Sequence, residues 1–319
     1  MKLRLGSRGS ALALWQAQHV QTLLQSQFSD LTVDIEVLRT TGDRITDVPL
    51  ARIGQKGLFT KEVDAAVLDG RVDCAVHSFK DVPTSLPDGI ALAAILERDD
   101  PRDAFLPAPG ARTRVLDLPA NARVGTSSLR RRALLLDLRP DLTAVDLRGN
   151  LDTRLEKLRA HHCDGIIVAL AGLRRLGRLD VVGETLEPPE WLPAAGQGAL
   201  AIVCRAADEP TRARLAALDH APSAAATHAE RGFLAVLEGG CQIPIGALAR
   251  AHDDELTLHG LVASLDGTTV VRGSETGPVS AATDLGHQLA ARLLQRGADA
   301  LLRDIRAAAA PSMPAPAAP

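Results

Sequence analysis

From residue 2 to residue 204, short apolar runs of strand length alternate with segments of helical period, and the alternation breaks once and restarts. Residues 2–5 read as a strand, with a turn at Gly6-Ser7-Arg8-Gly9. A helix opens near Ser10 and carries Leu12, Trp15, Val20, Leu23 and Leu24 on one stripe. Residues 32–38 alternate apolar and charged, the mark of a half-buried strand. A helix over 60–68, a strand over 72–76 and an apolar strand over 90–96 follow. Strands interleaved with helices imply an α/β domain with a mainly parallel sheet.

The polar, proline-containing stretch 97–103 interrupts this rhythm and reads as a crossing between domains. A second α/β series then begins: strand 123–125, helix 128–138, strand 142–147, helix 153–160 and strand 165–170. Pro188-Pro189 and Leu192-Pro193 close it. Residues 199–204 form one more buried strand, placed to return to the first sheet. A chain that leaves one α/β domain, builds a second and comes back makes two crossings, and two crossings form a hinge beside a cleft. From Pro222 the pattern changes. A helix over 224–237 leads into Glu238-Gly239-Gly240-Cys241, then come strands at 243–249, 256–264 and 268–273 and a helix at 281–294, a small α+β unit. The expected division is 1–97 with 198–217, then 102–193, then 221–306. The Ala/Pro-rich tail 307–319 is expected to be disordered. A chain of 319 residues is long enough for several cores.

Charge restricts function. Lys plus Arg number 36 against 39 Asp plus Glu, a net charge of −3, so the whole surface offers no pull toward nucleic acid or an acidic membrane. Any anion site must be local. No run is apolar enough to span a membrane and the start lacks an export signal, so a cytoplasmic protein is expected. Four unpaired-looking cysteines then read as reduced thiols. Cys74-x-x-His77 and His161-His162-Cys163 lack the second ligand pair of a tetrahedral site, so no metal is expected.

The basic residues gather where strands run into helices. Arg8 precedes Ser10 at a helix start, Lys56 sits between glycines, and Lys80 follows a strand. Arg130 and Arg131 follow Gly125-Thr126-Ser127-Ser128; Arg148 precedes Gly149; Arg154 opens the next helix. In open α/β sheets these loops line one crevice, where helix N-termini and arginines recognise anions. Sites in two domains facing a cleft suggest a ligand with many carboxylates. No Gly-x-x-x-x-Gly-Lys-[Ser/Thr] or Gly-x-Gly-x-x-Gly motif supports a nucleotide. Arg132, Arg174 and Arg175 read as solvated helix residues. Asp81, the acid beside Lys80, is placed to hold a cation or move a proton. Cys241, after two glycines in a loop, is the cysteine that does not read as core. On the residues alone, a non-catalytic carboxylate- or oxyanion-binding protein and a redox switch at Cys241 remain open.

Seven blocks in order resemble the hydroxymethylbilane synthase (porphobilinogen deaminase) family. They are Arg8-Gly9-Ser10-Ala11-Leu12-Ala13; Gly54-Gln55-Lys56-Gly57-Leu58-Phe59-Thr60-Lys61-Glu62; His77-Ser78-Phe79-Lys80-Asp81-Val82-Pro83; Gly125-Thr126-Ser127-Ser128-Leu129-Arg130-Arg131; Leu147-Arg148-Gly149-Asn150 with Thr153-Arg154; Pro193-Ala194-Ala195-Gly196-Gln197-Gly198; and Glu238-Gly239-Gly240-Cys241-Gln242-Ile243-Pro244. The resemblance implies two domains like a periplasmic-binding-protein pair and a third that carries a dipyrromethane cofactor, attached by a thioether to Cys241. It further implies a cytoplasmic monomeric transferase that condenses four porphobilinogen molecules with loss of ammonia. Asp81 would stabilise the positive charge on the reacting pyrrole, with Lys80 and Arg8 beside it. Ser10, Lys56, Ser78, Lys80, Asp81, Thr126, Ser127, Ser128, Arg130, Arg131, Arg148 and Gly149 would hold the cofactor. Arg8, Phe59, Arg148, Arg154 and Gln197 would meet substrate.

Overall fold

The computed structural model describes residues 2–40, 60–111, 113–237 and 243–309. Lys56, Phe59 and Cys241 therefore lie outside the described residues, as does the tail beyond 309.

The chain opens with β1 (Lys2–Arg8), paired in parallel with β2 (Thr32–Leu38) from Lys2 to Arg8. The turn expected at 6–9 is thus mostly strand: the ladder continues to Arg8↔Leu38, and Ser7 stays buried, its Oγ donating to the Ala13 carbonyl at 3.0 Å. Helix α1 (Ala11–Gln27) follows, capped by the Ser10 side chain, which accepts from the Ala13 N–H. Helix α2 (Lys61–Leu68), β3 (Cys74–Ser78) and β4 (Ile90–Ile95) continue the first unit. The second unit is β5 (Asp103–Pro107), β6 (Arg123–Gly125), α3 (Leu129–Leu138), β7 (Thr143–Val145), α4 (Leu151–Arg159), β8 (Gly165–Ala169), α5 (Leu170–Arg175) and β9 (Glu184–Leu186). The chain then returns through β10 (Leu200–Arg205) and α6 (Glu209–Ala216).

The two five-stranded sheets share one plan. The first runs β2-β1-β3-β10-β4 and the second β7-β6-β8-β5-β9. In each, the strand that enters from the hinge, β10 or β5, lies antiparallel to both neighbours. The sheets are therefore mixed rather than mainly parallel, because the crossing strand arrives from the opposite end of the sheet. Of the parallel strands, β1 ends at Arg8, β3 runs into the turn that carries Lys80, and β6 leads into the start of α3 with Arg130 and Arg131. The crossings themselves touch. Gly198 has φ +88, and a Cβ there would lie 2.4 Å from the Asp99 carbonyl oxygen, so only glycine lets the two strands approach this closely.

Helices α7 (Ala221–Val236) and α8 (Ala282–Leu293) cover the antiparallel sheet of β11 (Ile245–His252), β12 (Glu255–Ala263) and β13 (Val270–Pro278). Their core includes Phe233, Leu258, Val262, Leu285, Leu289 and Leu293. A further helix, α9 (Asp299–Ala309), corrects the expectation that disorder begins at 307. Leu302 and Ile305 bury one face of it, and alanine, the best helix former, carries it on to 309.

Candidate active site

On the first unit, β3 runs into a single 3-10 turn over Phe79–Asp81. Phe79 is buried, which anchors the turn and leaves Lys80 and Asp81 partly exposed on it. Ser78, at the strand end, accepts from Gln16 Nε2 at 3.0 Å. His77 lies within β3, and its Nε2 meets the buried Asp64 at 3.1 Å. Arg8 and Ser10 stand at the end of the neighbouring β1, Ser10 as the helix cap.

On the second unit, α3 starts just beyond β6. Thr126 is buried, and its Oγ1 accepts from the Ser128 N–H. Ser128 caps the helix by accepting from the Arg131 N–H. The cap turns both arginines inward onto Asp103, the first residue of β5, which is wholly buried. Asp103 accepts from Arg130 Nη1 (2.8 Å), Arg131 Nη2 (2.8 Å), Trp191 Nε1 (2.9 Å) and Gln197 Nε2 (2.8 Å). Burial alone would raise its pKa, but the two guanidinium groups more than offset this and hold the carboxyl well below the usual range. Arg131 also donates to the Ile167 carbonyl, and Arg130 to that of Leu192. After β7, Arg154 in the first turn of α4 donates through Nε to the Gly149 carbonyl at 2.9 Å, and Lys157 donates to the Arg148 carbonyl.

Gln197, on the returning crossing, joins the two sides. Its Oε1 accepts from Lys80 Nζ at 3.1 Å while its Nε2 donates to Asp103 and to the Pro101 carbonyl. Lys80 is pushed down to about 8, first by burial and then by the Arg131 charge. Arg154 is pushed down to about 10, by burial and then by Arg131 and Arg148; Asp81 opposes the shift. These mutual influences put Lys80, Asp81, Arg131, Arg148 and Arg154 in one electrostatic neighbourhood, drawn from both units. Cations outnumber acids there, and the buried Ser127 Oγ and Arg130 Nε have no hydrogen-bond partner among the described residues. Such a cluster is made for an anion that brings several acceptors.

A family model described as "Porphobilinogen deaminase, dipyromethane cofactor binding domain" matches residues 3–213, and one for the C-terminal domain of porphobilinogen deaminase matches 224–295. The chain belongs to the porphobilinogen deaminase family. The porphobilinogen deaminase of Syntrophomonas wolfei is 48% identical over 304 residues, covering 95% of this chain and 99% of the relative. That of Moorella thermoacetica is 48% identical over 307 residues, covering 96% and 97%. Among solved structures, the methionine binding protein MetQ aligns with a TM-score of 0.44 at 11% identity, over 68% of this chain and 89% of that one.

The sequence alone did not single out Asp103, which reads there as the end of a crossing. An acid followed by an apolar strand gives no local sign that two distant arginines will close on it. Arg175 also differs from expectation. It is not solvated: only 7% of its side chain is exposed, it donates to the Gly198 carbonyl at 2.6 Å, and it lies 5.7 Å from the Trp15 ring centroid. The i and i+1 positions of a short helix point apart, so Arg174 stays half exposed while Arg175 turns into the junction. Arg132 is exposed, as expected. Cys74, Cys163 and Cys204 are buried, and burial pushes each thiol up. Among the described residues no group of three or more His, Cys, Asp or Glu could hold a metal ion, and no helix is long and apolar enough to cross a membrane. A cavity of about 420 Å³ lies at the hinge against Leu248 and Arg250, away from Lys80 and Asp81, and its charged walls are largely paired with one another.

Proposed function

We propose that this chain is a hydroxymethylbilane synthase, a transferase of porphyrin and heme synthesis that condenses four porphobilinogen molecules head to tail, releases ammonia at each step and frees the tetrapyrrole by hydrolysis. The carrying observation is the buried, cation-rich cluster that both α/β units build together, in a member of this family. Each pyrrole of porphobilinogen bears an acetate and a propionate, so every addition brings carboxylates to this cluster. The division into 1–97 with 198–217, 102–193 and 221–306 follows the two crossings, and the chain is read as a cytoplasmic monomer with a small-molecule substrate, without nucleic acid or membrane.

Dipyrromethane, attached through Cys241, supplies the pyrrole carbon on which elongation begins. Its carboxylates suit the donors present: Lys80, Arg148, Arg154, the unpartnered Ser127 hydroxyl and the helix start at Thr126 and Ser128. Arg8, Ser10, Lys56, Ser78, Arg130, Arg131 and Gly149 complete that wall in this reading, and Phe59 and Gln197 border the substrate. Asp81 does the chemical work. Loss of ammonia leaves positive charge on the pyrrole, which the surrounding cations would repel, and the Asp81 carboxylate offsets that charge and accepts or returns the ring proton.

Purified protein incubated with porphobilinogen should release one ammonia per substrate consumed, and acid oxidation of the product should give a coloured porphyrin. A chain that binds porphobilinogen but releases no ammonia is the carboxylate-binding protein instead. That rival has no use for the third unit, which the family model also covers.

A further inference from the structure

The helix that leads toward Cys241 also grips the turn that carries Asp81. Arg231, in α7, donates through Nη1 to the Val82 carbonyl at 2.9 Å and through Nη2 to the Pro83 carbonyl. Its guanidinium lies 4.5 Å from the centroid of the Phe79 ring. Phe79 and Val82 bracket Lys80 and Asp81, and the turn closes on itself through the Val82 N–H to the Phe79 carbonyl. Ala224, about two turns earlier on the same helix, packs in the apolar cluster of Phe79 and Val82. Arg231 is therefore fastened to both ends of the two-residue segment that holds the acid. Its neighbour Glu230 fixes the helix itself, accepting from Arg98 Nη1 (2.6 Å), Gly196 N (2.7 Å) and Ala249 N (2.9 Å). Helix α7 cannot shift without dragging the turn.

From this geometry we propose that Arg231 is a positioning residue for Asp81: it sets where the carboxylate stands relative to the third unit, and so to whatever that unit presents in the cleft. The inference rests on the synthase reading for its assay but not for its geometry. A side chain that only held the units together would lower stability and affect every step alike. A positioning residue acts through Asp81 alone, so its loss should disappear once the Asp81 charge is gone.

The test is a double-mutant cycle on single-turnover ammonia release, with Arg231→Ala, Asp81→Asn and the double variant. The expected result is a tenfold or larger fall in rate for Arg231→Ala, with KM changed less than threefold. In the Asp81→Asn background the same substitution should change the rate less than twofold. Phe79→Leu, which keeps the carbonyl contacts but removes the ring under the guanidinium, should cost about twofold to threefold. If Arg231→Ala is poorly folded, Arg231→Lys enters the same cycle, and its rate loss must again vanish beside Asp81→Asn. Equal losses in both backgrounds, or a lowered Tm with an unchanged rate, overturn the proposal. Wild-type protein that releases no ammonia overturns the synthase reading instead.

Discussion

Arg130 and Arg131, at the root of α3, are buried against Asp103, which also takes the Trp191 indole and the Gln197 amide. Lys80 and Arg154 are close by and only partly exposed, yet neither has an ion pair among the described residues; each donates to an uncharged oxygen. Burial lowers the pKa of both, Lys80 to about 8 and Arg154 to about 10. The contrast separates two uses of buried positive charge. A cation already matched by a resident carboxylate builds the wall. One left unmatched stores an electrostatic cost that an incoming carboxylate can relieve.

Removing the resident anion should have the largest effect. Asp103→Asn leaves two buried guanidinium groups facing a neutral amide, a loss of about 3–5 kcal/mol in urea unfolding. A cost below about 1 kcal/mol would mean that the arginines do not depend on it. Next comes the acid on the unmatched side. Asp81→Asn should fold normally but slow single-turnover ammonia release by ~10²–10³, the usual scale for losing an electrostatic stabiliser in a confined site. Asp81→Glu should retain more activity, and near wild-type rates in Asp81→Asn would move the chemistry elsewhere.

Lys80 gives a smaller effect with a definite sign. Its folded pKa of about 8 lies below the usual 10.5, so between these values the unfolded chain binds the extra proton. The Lys80 contribution to stability therefore rises with pH across that window, and the cost of burying its charge is fully present below about 8. Unfolding free energies at pH 7.5 and 9.5 should differ by less in Lys80→Met than in wild type. An unchanged slope would show that the ammonium is already matched. The smallest effects compare neighbours on α5. Arg175→Ala, losing the Gly198 contact and the Trp15 ring, should cost about 1–2 kcal/mol. Arg174→Ala, which removes only partly exposed ion pairs, should stay within about 0.5 kcal/mol.

How much of this was legible in the sequence follows from how local each signal is. The two α/β series, the crossings and the α+β unit could be read because apolar period and turn residues act over a few positions, and Ser10 and Ser128 are helix caps by short-range hydrogen bonds. The basic residues at strand ends could be placed for the same reason. Which cations are matched could not. Asp103 meets Arg130, Arg131, Trp191 and Gln197 only after β5 has crossed between units, and Arg231 reaches the 79–83 turn across nearly half the chain. Pairings that distant leave no pattern in neighbouring residues. The extension of β1 through Arg8 was hidden because Gly6 and Ser7 look like a turn until β2 pairs with them.

In the proposed reading, carboxylates of a bound dipyrromethane meet Lys80 and Arg154, and Cys241 is the residue proposed to hold it. Intact-protein mass spectrometry on chain purified from cells that make porphobilinogen addresses this directly. Wild-type protein should be heavier than its sequence by one dipyrromethane, with the addition mapping to Cys241 in a peptide digest and missing in Cys241→Ser. Wild-type protein at the mass of the bare chain, or an adduct that persists in Cys241→Ser, would contradict it.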